Sequence, residues 1–471
     1  MKKHTCFHDL FFVLFANGIG LILSVVINLF LPKIFSTDIG SYGYVQLYLL
    51  YVSYYYIFTL GICSGIYLKE GGNKIEDLSP KLYSNQFSLF ALLQIFFGTV
   101  IVVCSLIFSS DIDKKFVFVM IGINIVIMGI REFFSMIFQA TSKIRDYSIM
   151  TIISKCINAT VIIVALIAST KDYKVLVMLL TVGELSSLLY ALIRGKKLIS
   201  CKPKINKEVI KETFSNIKSG SNILISGMTA MLITGFAKVC VENHWGIETF
   251  AKISFTISIA NLFMVFANAA SIVLYPRLKN IDLEKCNKTY KKINQLIVLL
   301  LFFAIGFCYP AKLALQSFLP EYKESLLYIS ILLPMCVFIG KTTMATQTYM
   351  KALRLEKHLM ISNLVSFGIS AVLVVISVFV FDDITFTVFS ILIGQILRAV
   401  LCEIFLAQTI KINVIKNTIV ECIITACFVL THWIVGGWIG SMVYLTIIAL
   451  YFAFVFIDTK IHKEKIENGE E

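Results

Sequence analysis

The chain has 471 residues, of which 58% are hydrophobic and only 15% are charged. Soluble domains carry charges on roughly a quarter of their residues, so this composition excludes an ordinary soluble protein and indicates a polytopic membrane protein. The net charge of +13 does not indicate a nucleic-acid partner, because the cations are concentrated in short segments between apolar runs. The twelve cysteines show no CxxC spacing and lie mostly in apolar runs, which predicts neither a metal site nor disulfides.

Apolar stretches long enough to cross about 30 Å of hydrocarbon recur along the whole chain. The first opens in MKKHTCFHDLFFVLFANG and continues to Leu31, too long for a signal-peptide core, so we interpret it as a retained span. Six spans precede a basic segment, six follow it, and two more come near the C-terminus. The predicted spans are residues 7–31, 42–67, 84–108, 116–139, 148–169, 175–193, 219–238, 250–275, 293–311, 326–350, 359–381, 385–407, 417–435 and 438–457.

The basic segment is residues 194–218, RGKKLISCKPKINKEVIKETFSNIK, with eight lysines or arginines against two glutamates. Such a segment is costly to move through a bilayer, so it predicts a cytoplasmic linker. Ile210, Phe214 and Ile217 fall at helical spacing, which favours an amphipathic helix on the inner leaflet. A charged tether without structure is the alternative.

The loop cations set the orientation. With the N-terminus in the cytoplasm, the inside segments hold 29 lysines and arginines and the outside segments hold 9. Cytoplasmic loops of membrane proteins carry this excess of positive charge. The bias therefore supports an even number of spans and predicts that both termini are cytoplasmic.

Weak matches at a slowly increasing offset indicate an internal repeat. Asn17 is matched 205 residues later by Asn222, and the basic loop 143–146 is matched 211 residues later by the loop 354–357. Each half has six spans, an even number, so both halves begin on the same side of the membrane and the repeat is parallel. We predict an N-terminal lobe at residues 1–193, the linker at 194–218, a C-terminal lobe at 219–407, and an added helix pair with a charged tail at 408–471.

Three segments carry a resemblance to a known family: LPKIFSTDIGSYGYVQLY after the first span, FQATSKIRDYS ending the fourth, and IVLYPRLKN closing the eighth. With the layout of six, six and two spans, they resemble the polysaccharide-export branch of the multidrug/oligosaccharidyl-lipid/polysaccharide (MOP) exporter superfamily. Within it the sequence is most similar to the O-antigen-unit flippases, called Wzx. The resemblance implies an all-α, V-shaped, MATE-like arrangement of about 14 helices.

The function implied by the resemblance is transport, without enzymatic activity or a cofactor. The cargo would be an undecaprenyl-pyrophosphate-linked oligosaccharide, moved by alternating access from the cytoplasmic to the periplasmic leaflet of the bacterial inner membrane. The implied partners are this cargo, membrane lipid, a proton or sodium gradient, and a polysaccharide polymerase with its chain-length regulator.

Cations at membrane depth are candidates to hold the pyrophosphate, since a charge at the centre of a span costs roughly 2.5–3.5 kcal/mol and seldom lacks a partner or a task. Arg131 and Lys341 are nearly equivalent under the repeat, and Lys341 follows Pro334, where a kink can free backbone groups. The four candidates are Lys341, Arg131, Arg398 and Lys155.

Each cation also has a purely structural interpretation. Arg131 can pair with Glu132, and Arg398 can pair with Glu403 about one turn away. Lys155 can extend its ammonium to the cytoplasmic face.

Polar and aromatic residues are candidates for the cavity wall. Asn17 and Asn222 occupy equivalent places in unusually polar spans, and Tyr48, Tyr51 and Tyr55 share one face of the second span, where they can stack on sugar rings. Close helix packing or lipid contact is the alternative for all five.

Acids within spans are candidates for ion coupling. Glu184 has no basic residue at helical spacing, so we predict it as the coupling group. Glu132 has Arg131 beside it, and Glu421 is expected near the inner interface, in contact with water.

Other functions are less consistent with the residues. A multidrug or cation antiporter of the same superfamily is the main alternative; it is expected to carry an acid inside the N-terminal lobe, and the first span has only Asp9, at its edge. A lipid II flippase is expected to use arginines in its early spans, and the first three spans have none. A polymerase would need sizeable catalytic loops, and there is no nucleotide-binding motif.

Overall fold

The computed structural model describes residues 18–20, 22–202, 204, 206–278 and 283–467. Almost all of this part is helical, and two π-helical turns occur, at Thr342–Thr346 and Thr431–Val435. The α-helices of the described part are α1 (Gly18–Ile34), α2 (Ile39–Ser53), α3 (Ile62–Glu70), α4 (Pro80–Phe108), α5 (Ile112–Ala140), α6 (Ile144–Ile167), α7 (Tyr173–Gly195), α8 (Lys207–Leu278), α9 (Leu283–Ile305), α10 (Cys308–Phe318), α11 (Ile329–Leu332), α12 (Met335–Lys341), α13 (Gln347–Ala352), α14 (Glu356–Phe379), α15 (Ile384–Ile410), α16 (Ile415–Leu430) and α17 (Gly437–Glu467).

The helices agree with the predicted spans. Within the described residues, eight helices are long and apolar enough to cross a membrane, or up to eleven if each of three bent pairs is one span. Shorter apolar helices cover Gly18–Ile34 and Gly437–Ala453. Each of the fourteen predicted spans lies on one of these helices, although residues 7–17 of the first are outside the described part. The predicted all-α polytopic membrane fold is confirmed.

Helix α4 shows how lipid contact shapes the sequence. Its buried positions include the small or polar residues Gln94, Gly98 and Ser105, whereas the large apolar residues Phe96 and Val103 are exposed. A helix of a soluble protein has the opposite arrangement, because water disfavours exposed apolar surface. In a bilayer the acyl chains accept that surface, and small or polar residues mediate the packing between helices.

Contacts divide the chain into two compact units, Met1–Ser254 and Phe255–Glu471. In the first unit α5 is central and packs against α2, α3, α4, α6 and α7; in the second, α15 packs against α11, α12, α13 and α14. The dividing point lies within α8. The predicted domains 1–193, 194–218, 219–407 and 408–471 remain a prediction.

Helix α8 is 72 residues long and is interrupted at Gly246, where φ is 83° and ψ is 178°. A residue with a side chain rarely adopts this positive φ, whereas glycine does so at little cost. Gly246 therefore separates the seventh and eighth predicted spans within one helical element.

The basic segment begins with the end of α7 and a short 3₁₀ helix at Lys196–Ile199. It is α-helical again from Lys207 and continues into the seventh span without a break. Thr213 and Asn216 face the protein, while Ile210 and Phe214 are 41% and 66% exposed. Ile217 packs against a buried apolar cluster of the first unit. Residues 207–218 are thus helical with an exposed apolar side, as the start of a spanning helix rather than a separate element. Their position on the inner leaflet stays a prediction.

Glycines allow α3 and α8 to approach closely. Gly61 and Gly65 form a GxxxG pattern that meets Gly220, and a Cβ on Gly65 would overlap the carbonyl oxygen of Asn216. A Cβ on Gly220 would likewise overlap the carbonyl oxygen of Gly61. Such small residues let two backbones come together in a membrane, where there is no hydrophobic force between helices.

Matching helices support the predicted repeat. Helices α6 and α14 each contain 24 residues and begin 212 residues apart. Asp172 caps α7 through the backbone N–H of Lys174, and Asp383, 211 residues later, caps α15 through that of Thr385. The same kind of cap at the same offset is what a duplicated helix pair would retain.

Candidate functional site

Two buried ionic clusters lie within the apolar helices, one in each unit. Among the described residues, the other ion pairs involve at least one side chain that is about a third exposed or more, whereas the members of these two clusters are 16% exposed or less. Charges at such depth are costly unless they are paired or functional. The cluster of the first unit centres on Arg131 and Glu184, and that of the second on Lys341.

In the first unit, Arg131 of α5 forms an ion pair with Glu184 of α7 through Nη1 and Oε2. Ser154 of α6 donates a hydrogen bond to the other carboxylate oxygen. These contacts connect three helices in the unit that α5 organises. Glu184 has no basic residue at helical spacing in its own helix, as the sequence indicates, and its partner comes from another helix. Its role as the coupling group stays a prediction.

Glu132, next to Arg131, has a different partner. The hydroxyl of Tyr55 donates to Glu132 Oε2 at 3.1 Å, and Glu132 is 7% exposed. The predicted pairing of Arg131 with Glu132 is thus replaced by the pair with Glu184. Arg131 Nε is buried and has no hydrogen-bond partner among the described residues, so the guanidinium keeps one donor available.

The three tyrosines predicted to stack on sugars have different environments. Tyr48 is 3% exposed, and its hydroxyl lies 3.3 Å from the hydroxyl of Thr181. Its ring is therefore covered by protein in this structure. Tyr51 and Tyr55 are half-buried, and the ring of Tyr51 packs against that of Phe118 with centroids 5.1 Å apart.

A cavity of about 230 Å³ adjoins the first cluster. Its wall is mainly apolar, with a few polar groups including Glu184 and Asn158. Asn158 Oδ1 is buried without a hydrogen-bond partner in the described part of the chain. The lining residues are Ile27, Leu31, Tyr48, Leu49, Val52, Ser53, Met128, Asn158, Ile162, Leu180 and Glu184.

Lys155 of α6 reaches toward α1. Its Nζ lies 3.3 Å from the carbonyl oxygen of Gly20 and 3.4 Å from Ser24 Oγ. The ammonium is therefore held by polar groups of the first helix rather than by a carboxylate. Of the two predicted wall asparagines, Asn17 lies outside the described residues and Asn222 is half-buried on α8.

In the second unit, Lys341 at the end of α12 contacts two carboxylates. Its Nζ lies 2.5 Å from Glu403 Oε2 and 2.6 Å from Glu421 Oε2, and all three side chains are no more than 3% exposed. Lys341 is predicted to hold the cargo's pyrophosphate, and in this structure its ammonium is buried and paired with two carboxylates. Glu421, expected near water, is also buried, because α16 places it beside Lys341.

Two further predictions in this unit concern Arg398, whose partner differs from the expected one, and the kink at Pro334, which is present. Arg398, for which Glu403 was a possible partner, donates from Nε to Asn363 Oδ1 at 3.0 Å and is 7% exposed. The kink expected at Pro334 is present, because the two parts of the tenth span, Ser325–Leu332 and Met335–Lys351, are bent by 42°. A π-helical turn follows Lys341 directly.

Several residues of these clusters were missed by sequence reasoning. Glu403 and Glu421 were noted as intramembrane acids but not assigned to Lys341, and Ser154 and Asn158 were not singled out. The one sequence signal was an excess of acids over cations in the last four spans. The contact of Lys341 with Glu403 and Glu421 depends on how α12, α15 and α16 pack, which periodicity within one helix does not report.

Comparisons with known proteins show the fold. No protein-family model matches the chain, and no curated protein matches it. The solved structure of the lipid II flippase MurJ, in an inward closed conformation, matches with a TM-score of 0.66 and 12% identity, covering 97% of this chain and 100% of MurJ. An inward-facing multidrug resistance MATE transporter matches with a TM-score of 0.56 and 13% identity over 85% of this chain and 94% of its own.

A third structure, a MOP superfamily transporter from Pyrococcus furiosus, matches with a TM-score of 0.56 and 12% identity over 86% of this chain and 95% of its own. At these identities the likeness concerns the fold. The chain shares the fold of the MurJ and MATE transporters. Because 97% of this chain is matched to MurJ, the unmatched part is much shorter than the segment after Ala407. The likeness therefore extends into α16 and α17.

Proposed function

We propose that this protein is a transporter of the MOP superfamily that flips an undecaprenyl-pyrophosphate-linked oligosaccharide, an O-antigen or related repeat unit. It would act from the cytoplasmic to the periplasmic leaflet of the bacterial inner membrane by alternating access, with both termini in the cytoplasm. A polysaccharide polymerase and a chain-length regulator would use the product.

The observation that carries this proposal is the full-length likeness to a lipid flippase. MurJ is covered completely and this chain almost completely, whereas the MATE structures leave about a seventh of this chain unmatched. The C-terminal helix pair is thus accounted for by the flippase fold. The segments that resemble the O-antigen flippases point to the oligosaccharide as cargo.

Arg131 is the best-placed group for the cargo's pyrophosphate. It lies beside Glu184, which lines the cavity of the first unit, and its buried Nε has no partner among the described residues. A guanidinium binds phosphate oxygens through two parallel N–H donors. The pyrophosphate would replace Glu184 as the partner of Arg131. The buried guanidinium would then have an anionic partner both before and during transport.

The choice of cargo within the superfamily follows from charge placement. The first arginine of the chain is Arg131, so the first three spans have none of the arginines expected of a lipid II flippase. The second candidate is a multidrug or cation antiporter, which the MATE neighbours keep open.

The proposal is tested by the leaflet distribution of the cargo. Cells that lack this protein should accumulate the lipid-linked oligosaccharide on the cytoplasmic side, and restoring the gene should clear it. The distribution is measured in spheroplasts by access of an impermeant periodate probe to the glycan. An unchanged distribution, together with altered efflux of cationic drugs, would instead establish the antiporter.

A further inference from the structure

The cluster of the second unit contains more acidic than basic side chains. Lys341 offers one positive charge, and Glu403 and Glu421 offer two negative charges when both are ionised. All three side chains are at least 97% buried. A net charge in such an environment is opposed by several kcal/mol of desolvation, and a buried group normally neutralises instead.

Hydrogen bonds distinguish the two carboxyl groups. Glu403 accepts from the hydroxyl of Tyr290 at 3.3 Å, from Asn294 Nδ2 at 3.0 Å and from the hydroxyl of Thr418 at 3.1 Å, in addition to Lys341. Four donors favour the ionised form of Glu403. The side chain of Glu421 accepts from Lys341 alone within the described residues.

The geometry decides which cation can neutralise the cluster. The ammonium of Lys341 already occupies the space between the two carboxylates, at 2.5 and 2.6 Å. A sodium ion needs several oxygen ligands around it and would have to displace this ammonium. A proton requires no such space.

Two further features support a site that changes state. Asn294 is 5% exposed, and while its Nδ2 contacts Glu403, its Oδ1 is buried with no partner among the described residues. An amide in this position can present either its donor or its acceptor to a carboxyl group. Lys341 itself lies between the 42° bend of its span and a π-helical turn, a type of irregularity frequent at functional sites.

We propose that Lys341, Glu403 and Glu421 form a proton-binding site, with the proton carried by Glu421 and with Glu403 ionised against Lys341. Loss of the proton leaves two carboxylates sharing one ammonium, which draws Lys341 closer to Glu421. That movement would link proton uptake to a change in the broken span. This last step rests on the proposed function, because it makes the proton the coupling ion of transport.

Other titratable groups also face this site from the neighbouring helices. They modify the proton affinity but cannot supply a second positive charge. They are Tyr290 of α9, Tyr349 next to it on α13, Cys422 of α16 and Tyr451 of α17.

The site is tested by infrared spectroscopy of the purified, detergent-solubilised full chain at neutral pH, which reports the carbonyl stretch of protonated carboxyl groups. We expect Glu421→Gln to remove the intensity of one protonated carboxyl. Glu403→Gln should remove it too, because Glu421 must then ionise to pair with Lys341. Lys341→Met should increase it, since no cation remains for either acid. Glu184→Gln, in the other unit, should leave this intensity unchanged.

Substitution by aspartate locates the proton. Glu421→Asp should shift the frequency of the band, whereas Glu403→Asp should leave it in place. The proposal would be overturned if both Glu421→Gln and Glu403→Gln kept the full wild-type intensity of this band. If the variants do not fold, the wild type alone provides a test: its midpoint of thermal unfolding should fall as the pH rises above neutral, and a flat profile would contradict the site.

A transport measurement separates this proposal from the proposed function. In cells whose proton gradient is dissipated, wild-type flipping should slow, and the slower rate of Glu421→Gln should not change further. If the infrared changes occur but no variant affects the lipid-linked oligosaccharide, the proton site stands and the proposed function fails. If flipping occurs and the infrared changes are absent, the proposed function stands and the proton site fails.

Discussion

Arg131 and Glu184 form an ion pair between α5 and α7, although neither has an oppositely charged residue three or four positions away in its own helix. Each charge is therefore stabilised by a partner from another helix. The pair holds together the centre of the first unit and borders its cavity. Replacing either residue thus affects both stability and function, and the two effects need separate variants.

Arg131→Ala should lower the free energy of unfolding by about 3–5 kcal/mol, because it leaves the Glu184 carboxylate buried without its cation. The double variant Arg131→Met with Glu184→Met should recover most of this stability, since apolar residues of similar size replace a buried pair at little cost. Thermal unfolding of the purified protein measures both.

The same double variant tests the binding role of Arg131. We expect a folded protein whose flipping rate is reduced at least about 10-fold, because the proposed pyrophosphate contact through a charge-assisted pair is gone. Arg131→Lys should be milder. Arg194→Ala, which removes an arginine that is 53% exposed, is the matched control and should retain activity. Full activity of the stable double variant at native expression would exclude Arg131 from binding.

Lys341→Ala should be more harmful to folding than Arg131→Ala, because it leaves two buried carboxylates with no cation. Adding Glu403→Gln should restore part of the stability, since it replaces the acid that is ionised against Lys341 with a neutral amide. Folded yield and the midpoint of thermal unfolding measure the change. If Lys341→Ala and wild type unfold at the same temperature, the ammonium does not hold the cluster together.

The sequence alone predicts the layout of this protein well. Long apolar runs locate each span, because a helix is the only local structure that satisfies its backbone in lipid. The kink at Pro334 also follows from local chemistry, since proline removes a backbone donor. The break at Gly246 depends on a single positive φ. The hydropathy predicts a loop there but gives no other sign of the break.

The side-chain partners are much less predictable. Neighbours along one helix suggested Glu132 for Arg131 and Glu403 for Arg398, and the structure shows Glu184 and Asn363 instead. The charge of a buried residue is compensated by whichever helix packs against it. The repeat predicts equivalent cations at Arg131 and Lys341, and Glu184 and Glu403 lie on the equivalent helices α7 and α15. The two acids occupy different positions along these helices, however, and Glu421 comes from the added helix pair, so the repeat offset does not relate the two sets of partners.

Gly65→Val should weaken the packing of α3 against α8, because any Cβ at this position overlaps the backbone of Asn216. We expect a loss of stability of about 1–3 kcal/mol or more, the usual effect of overfilling a packed contact. Gly368→Val is the matched control, since a Cβ on Gly368 meets open space. Unfolding temperatures of the two variants compare them, and equal values would argue against a close crossing at Gly65.

The proposed orientation can be tested with single cysteines in exposed loops. Asn73 lies between α3 and α4, on the side predicted to be cytoplasmic, and Ser110 lies between α4 and α5, on the side predicted to be external; both are exposed. We expect an impermeant maleimide to label Ser110→Cys in intact spheroplasts and to label Asn73→Cys only after the membrane is opened. The positive-inside distribution of the loop cations is the physical reason.

The control for this labelling is the unmodified protein, because the chain has twelve cysteines of its own. Cys104 is exposed on α4, a predicted span, where lipid should shield it from an impermeant reagent. Labelling of Asn73→Cys in intact spheroplasts, with Ser110→Cys protected, would invert the orientation and with it the direction proposed for the cargo. Labelling of both in intact spheroplasts would mean that α4, which separates the two loops, does not cross the membrane. That result would contradict the fourteen-span arrangement.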